Sequence, residues 1–255
     1  MKTKIVGHRG ASREAPENTR AAFQLAWEQG ADGVELDVRM TRDGHVVVIH
    51  DESALRTAGL EVEIASATMS KLRQLDAGSW KGMAWADERI PELGEVLAEV
   101  PPGRKVFIEI KCGVDIMAPL LGVLERCPLT VDQLGVVGFS REVMRLARQQ
   151  LPVSEVLWNV ELKTPSAARG WSPAIEALSQ QTREAKLDGL GIGVRGHVDQ
   201  AFVRRALQEG LKLFAWTVDD AGLAAELVRL GVDYLVTNRP GWMRTALAAR
   251  LSSEH

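Results

Sequence analysis

Over residues 33–51, apolar and polar side chains alternate with the period of a strand: Val34, Leu36 and Val38 interleave with Glu35, Asp37 and Arg39. Side chains on a strand repeat every two residues, so one face is apolar and the other carries two neighbouring carboxylates. Asp43-Gly44 is a tight-turn dipeptide, and the apolar run 46–49 folds back antiparallel from it, which delivers His50 and Asp51 close to those carboxylates. Upstream, Ile5-Val6-Gly7-His8 reads as a short strand, and Gly10 lets the backbone approach a ligand. Pro16-Glu17-Asn18-Thr19 is a helix entrance with Asn18 as its cap, and Ala22, Phe23, Leu25, Ala26 and Trp27 form the apolar stripe as far as Gly30. Strand, helix and strand make a βαβ unit. Because parallel neighbours need a crossover of a dozen or more residues, the run 46–49 must belong to an insertion, placed at about residues 39–90.

Within that insertion the pattern predicts a loop over 51–57, extended chain over 61–64, a helical turn over 70–75 and irregular chain over 78–85. The repeat resumes with a helix over 91–100, a strand over 105–110, a helix over 115–125 disturbed by Pro119, a strand over 134–137 and a helix over 141–150. Strands over 153–158, 187–194, 211–217 and 234–237 follow, separated by helices over 173–186, 200–209 and 222–230, with a last helix over 241–251. Eight β/α steps without a linker-like shift in composition predict an α/β fold: one TIM (β/α)8 barrel domain over residues 1–255, with a small insertion after strand 2. No glycine-rich dinucleotide or P-loop motif follows any strand, which removes the commonest functions of open sheets.

Composition is ordinary for a globular chain of 255 residues, and the formal charge of -3 with pI about 6.0 gives no basic stripe for nucleic acid. Any affinity for phosphate must be local. Cys112 and Cys127 have neither disulfide-framework nor metal-type spacing and read as two reduced thiols. The start has no apolar leader-type run, and no segment approaches the roughly 20 apolar residues of a membrane span. A cytoplasmic protein without stable membrane association is expected; the oligomeric state is left open.

Barrels carry their catalytic groups at the carboxyl ends of strands, and His8, Glu35, Asp37, Glu109, Lys111, Trp216 and Asp219 all fall at or near such ends. Glu35, Asp37 and Glu109 form a hard-oxygen set suited to one divalent cation, Mg²⁺ or Ca²⁺, or else are salt-bridged carboxylates on the rim. His8 and His50 bracket the same mouth, and a histidine near its reference pKa of about 6.5 serves as acid or base at neutral pH. Arg9 and Lys111 suit an anionic substrate such as a phosphate, or balance the three acids. Trp216 either walls the pocket or simply packs. Asp51 either orients His50 or accepts turn amides, and Trp80 and Trp85 form either a lid or the insertion's own small core. His45, His197 and His255 carry no expectation of function.

The motifs His8-Arg9-Gly10, Pro16-Glu17-Asn18-Thr19, Glu35-Leu36-Asp37-Val38, Thr41-Arg42-Asp43-Gly44, His50-Asp51, Glu109-Ile110-Lys111, Trp216-Thr217-Val218 and Thr237-Asn238-Arg239-Pro240 resemble those of the glycerophosphodiester phosphodiesterases over nearly the whole chain. The resemblance implies hydrolysis of small glycerophosphodiesters, such as glycerophosphocholine and glycerophosphoethanolamine, to glycerol 3-phosphate and an alcohol. It also implies a cation on Glu35, Asp37 and Glu109, His8 and His50 as the acid/base pair, and Arg9 and Lys111 on the phosphate. Gly138-Phe139 stands where the family has Ser-Phe, so Phe139 is a substrate contact lacking its polar neighbour, and the glycine-rich stretch after Leu55-Arg56-Thr57 is shortened to Ala58-Gly59-Leu60. The alternatives are a lysophospholipase D-like enzyme acting on lipid diesters and a non-catalytic phosphoester-binding protein.

Overall fold

The computed structural model describes residues 3–166, 170–172, 174–194 and 200–252. His197 and His255 lie outside them. The strands are β1 (Lys4–His8), β2 (Gly33–Met40), β3 (Val46–Val48), β4 (Lys105–Ile110), β5 (Leu134–Gly138), β6 (Glu155–Val160), β7 (Lys163–Ser166), β8 (Gly170–Ser172), β9 (Gly189–Gly193), β10 (Lys212–Trp216) and β11 (Tyr234–Thr237). Eight of them, in the order β1-β2-β4-β5-β6-β9-β10-β11, pair in parallel, and β11 returns to β1 to close a TIM barrel. Closure leaves no parallel strand edge unpaired.

Strand alternation sorts each barrel strand into two faces. Val34, Leu36 and Val38 of β2, with Val106, Ile108 and Ile110 of β4, point outward and pack in one apolar cluster with Phe23, Trp27 and Leu97. The opposite faces fill the barrel in layers. At the amino end, Glu155 pairs with Lys105, accepts a hydrogen bond from Lys212 Nζ, and holds Tyr234 Oη between its two oxygens at 2.8 and 2.7 Å. Above it, the Phe107 and Phe214 rings meet at 4.8 Å between centroids and close the middle. Gly135 makes room for that layer, because a Cβ there would lie 2.7 Å from the Phe107 ring. Truncating such a ring to Ala typically costs about 3–5 kcal/mol. The uppermost layer holds Glu35, Asp37 and Glu109.

The insertion folds on β3, which runs antiparallel to β2 with Val38 opposite Val48. Its core is aliphatic, made of Val47, Ile49, Ile64, Met69, Leu72, Leu75 and Ile90. Trp80 and Trp85 do not form it: Trp80 is 41 % exposed with its indole N–H on the Ala77 carbonyl, and Trp85 is only half-buried. The short helix Leu55–Ala58 lies at the end of the expected loop, and the expected helical turn over 70–75 is the helix Met69–Leu72.

Other differences have local causes. The sixth strand starts at Glu155 rather than 153, because the Val153 N–H turns back to the Leu151 carbonyl. Pro119 does not disturb the helix Met117–Leu124; it is the third residue, in the first turn, where amides have no intrahelical partner. The β7–β8 hairpin, whose run Lys163-Thr164-Pro165-Ser166 is polar and broken by proline, has no alternating pattern to announce it. Gly10, at φ +82, lies against helix Arg20–Glu28, where a Cβ would be 2.5 Å from the Ala22 carbonyl.

Candidate functional site

Strand register brings the site together. His8 ends β1 opposite Glu35 of β2, and Asp37 of β2 stands opposite Glu109 of β4. One ligand oxygen from each of Glu35, Asp37 and Glu109 lies within 4.8 Å of the others, and all three side chains are buried. Two oxygens on opposite sides of a Ca²⁺ at about 2.4 Å are themselves about 4.8 Å apart, so the set has room for one such ion. Glu35 Oε2 accepts the Arg9 N–H at 2.9 Å, whereas buried Glu35 Oε1 has no hydrogen-bond partner among the described residues. An orphaned carboxylate oxygen in a triad of hard donors fits a divalent cation.

The electrostatics agree. Burial, and then the Asp37 and Glu109 charges, push the Glu35 carboxyl well above its usual range, and burial followed by the Asp37 charge raises Glu109. Burial pushes Asp37 up too, but Arg9 and Lys111 outweigh it and hold that carboxyl below its usual range. Arg9 Nε lies 3.0 Å from Asp37 Oδ2 and Lys111 Nζ 3.1 Å from Asp37 Oδ1, both close in charge without hydrogen-bond alignment. Both sequence-predicted cations thus rest against the acids here.

A cavity of about 260 Å³ opens over the triad, lined by His8, Arg9, His50, Lys111, Phe139 and Trp216 among others. Phe139 stands edge-on to Trp216 at 5.6 Å, with Lys111 Nζ 5.7 Å from the Phe139 ring centre. Every residue expected at the site therefore borders this cavity or the triad beneath it. A larger groove of about 810 Å³ lies elsewhere, along Arg20, Arg73, Glu88 and Glu95, but it is open, and its Arg20 and Arg73 are paired with Glu99 and Glu95 on the surface.

Both histidines present one nitrogen and have the other engaged. His8 Nδ1 is 2.8 Å from Asn238 Oδ1, and His50 Nδ1 is 2.6 Å from Asp51 Oδ1, so Asp51 does orient His50. Burial and the Arg9 charge lower His8 to about 4, leaving it neutral at pH 7, and burial also lowers His50. Arg56, from the insertion, holds Asp51 through Nε at 2.6 Å and Glu17 through Nη1 at 2.8 Å, while Glu17 in turn pairs with Arg9 at 2.7 Å.

Asn18 is not the helix cap. Thr19 caps helix Arg20–Glu28 by accepting the Ala22 N–H, while Asn18, at φ +58, donates Nδ2 to Asp37 Oδ2 at 2.8 Å and accepts the Asp37 N–H at 3.2 Å. Asparagine tolerates this left-handed backbone far better than most residues. Glu17, Asn18, Arg56 and Asn238 are the neighbours whose part in the site sequence reasoning missed; their one signal was membership of the quoted motifs.

A model described as the glycerophosphoryl diester phosphodiesterase family matches residues 8–242. A relative from Caldanaerobacter subterraneus subsp. tengcongensis, named glycerophosphodiester phosphodiesterase, is 34% identical over 251 residues, covering 94% of this chain and 96% of its own. One of the same name from Bacillus altitudinis is 40% identical over 253 residues, covering 93% and 95%. Among solved structures, an Oleispira antarctica phosphodiesterase in complex with the product sn-glycerol-3-phosphate superposes with TM-score 0.84 at 29% identity, over 96% of each chain. A glycerophosphodiester phosphodiesterase from Thermotoga maritima does so with TM-score 0.75 at 26% identity, over 96% of this chain and 98% of its own.

Proposed function

The chain belongs to the glycerophosphoryl diester phosphodiesterase family, and from that premise we propose that it hydrolyses glycerophosphocholine, glycerophosphoethanolamine and similar diesters to glycerol 3-phosphate and an alcohol. The product held by the Oleispira protein supports the glycerol phosphate half of this substrate class. The observation that carries the reading is the buried triad Glu35, Asp37 and Glu109, with its orphaned Glu35 oxygen, lying beneath two imidazoles in one cavity.

Glu35, Asp37 and Glu109 would hold one Mg²⁺ or Ca²⁺. Such an ion supplies positive charge at the phosphate oxygens and lowers the pKa of the attacking oxygen. The chain's own residues do the rest. With both Nδ1 atoms engaged, Nε2 of one histidine takes the proton from the attacking oxygen, and Nε2 of the other gives a proton to the alcohol as its bond to phosphorus breaks. Arg9 and Lys111 bind the phosphate, Arg through its planar fork. Phe139 and Trp216 form an apolar wall that orients the organic group and excludes water. The barrel acts as one catalytic unit with residues 39–90 as its insertion, and the free thiols Cys112 and Cys127 suit a reducing cytoplasm. Among the described residues no helix is long and apolar enough to cross a membrane.

The test is release of glycerol 3-phosphate from glycerophosphocholine before chelation, after it, and with Mg²⁺, Ca²⁺ or Mn²⁺ restored. Release should vanish on chelation and return with at least one ion. Release that survives complete chelation removes the metal-based reading, preference for a lysophospholipid moves the substrate class to lipid, and saturable binding without turnover under every ion makes the protein a binder.

A further inference from the structure

We propose that Asp219 and Asn238 are positioning residues that lock His8 into one tautomer, with the proton on Nδ1 and the lone pair on Nε2; the proposal rests on the reading above that His8 moves a proton.

His8 Nδ1 lies 2.8 Å from Asn238 Oδ1, and the ring donates there only if the amide presents its oxygen. An amide has nearly the same shape either way round, so its neighbours must decide. Asn238 Nδ2 lies 2.5 Å from Asp219 Oδ2, and Asp219 Oδ1 accepts the Thr237 hydroxyl and the Asn238 N–H, each at 2.8 Å. Asp219 Oδ1 already accepts twice and its Oδ2 takes the amide as a further donor, so the NH₂ group faces Asp219 and the carbonyl faces His8. Reversing the amide would set oxygen against carboxylate and an N–H against the ring. Ser12 Oγ, 2.8 Å from the same Oδ1, supplies a second donor. With the proton committed to Nδ1, Nε2 keeps its lone pair on the cavity side, 4.0 Å from Glu35 Oε2.

The positions in the fold explain why no local motif displays this. Asp219 follows β10 and Asn238 follows β11, the last two strands, and β11 pairs with β1 as the barrel closes. Closure therefore places the amide on the ring. For imidazoles that ligate metals, a polar orienting partner is typically worth about 10–100-fold in activity, and the same scale is expected for His8.

The experiment combines nitrogen-15 correlation spectra of histidine-labelled protein with kcat and KM on glycerophosphocholine in the metal-loaded enzyme. Wild type should show His8 as a single species protonated at Nδ1. Asp219→Asn removes the acceptor-only group, so the His8 spectrum should become a tautomer mixture and kcat should fall roughly 10–100-fold with KM little changed. The double exchange Asp219→Asn with Asn238→Asp should restore the single tautomer and most of kcat: the new amide at 219 keeps its oxygen on Thr237 and turns its NH₂ to the new carboxylate, which accepts from His8. Should Asp219→Asn not fold, Asn238→Ala tests the same point by deleting the amide.

A wild-type His8 protonated at Nε2, or a folded single variant whose tautomer does not change, overturns the proposal. So does a folded double variant that fails to recover the Nδ1–H form. If wild type releases no glycerol 3-phosphate while the spectra behave as described, the tautomer lock stands and the proposed function fails; turnover with an unmoved tautomer gives the reverse.

Discussion

Asp37 and Glu109 stand opposite each other on the parallel strands β2 and β4, and the Lys111 ammonium sits between them, 3.1 Å from Asp37 Oδ1 and 2.6 Å from Glu109 Oε1. With Arg9 on the other side of Asp37, two organic cations offset the charge of three buried acids. A divalent ion entering the triad competes with that ammonium.

Such an ion binds the folded chain and not the unfolded one, so it stabilises. At one hundred times its Kd the gain is about 2.7 kcal/mol, which for a chain of this length is a rise in Tm of roughly 5–11 °C. Thermal melts of chelated protein with and without added Mg²⁺ or Ca²⁺ measure it, and Glu109→Gln should abolish the rise. Identical melts with every ion would count against the triad as the site.

His8→Ala and His50→Ala should each lose about 10²–10⁴-fold in kcat, the usual worth of a general acid or base. Circular dichroism should show both folded. Near-normal turnover in either variant would remove that histidine from the chemistry.

Asn18 holds Asp37 at both its carboxylate and its backbone, so its effect should appear first in cation affinity. Asn18→Ala should weaken binding about 10–100-fold, read by calorimetric titration with Ca²⁺. Unchanged affinity would reduce Asn18 to a backbone role.

The layer at the amino end of the barrel should govern acid stability. Burial pushes the Glu155 carboxyl up, but hydrogen bonds from Lys212 and Tyr234 and the Lys105 charge outweigh it and hold the group below its usual range. Burial lowers Lys105 in turn, so that ammonium depends on its partner. A carboxyl lowered in the folded state contributes stability that is complete above its unfolded value of about 4.3 and is lost as pH falls below that. Glu155→Ala should cost about 3–5 kcal/mol at pH 7, and Glu155→Gln should cost much less at pH 3 than at pH 7, both by urea denaturation. Equal losses for Glu155→Gln at the two pH values would show that the carboxylate's charge is not what counts.

What could be read from the sequence was whatever repeats locally. The alternation over 33–39 placed Glu35 and Asp37 on one strand face, and the Asp43-Gly44 turn returned the chain toward His50; both rest on periods of a few residues. The partners of those groups could not be read the same way. Asn238 reaches His8 across 230 positions and Tyr234 reaches Glu155 across 79, through the register of a closed barrel that no window of sequence contains. Asn18 was misread because a cap and a left-handed hydrogen-bonding residue favour the same side chain. The two readings of Trp80 stayed open because its size suits either a lid or a core; Ile64 and Leu72 fill the core instead.

The two imidazoles hang from different supports. His8 ends a strand of the closed cylinder, whereas His50 follows β3 in the insertion, next to Ile49 of the small aliphatic cluster. A modest cluster opens at lower free energy than a barrel with every parallel strand paired. Warming should therefore part the two imidazoles while the cylinder is still intact, and turnover should fail at a lower temperature than the strands do.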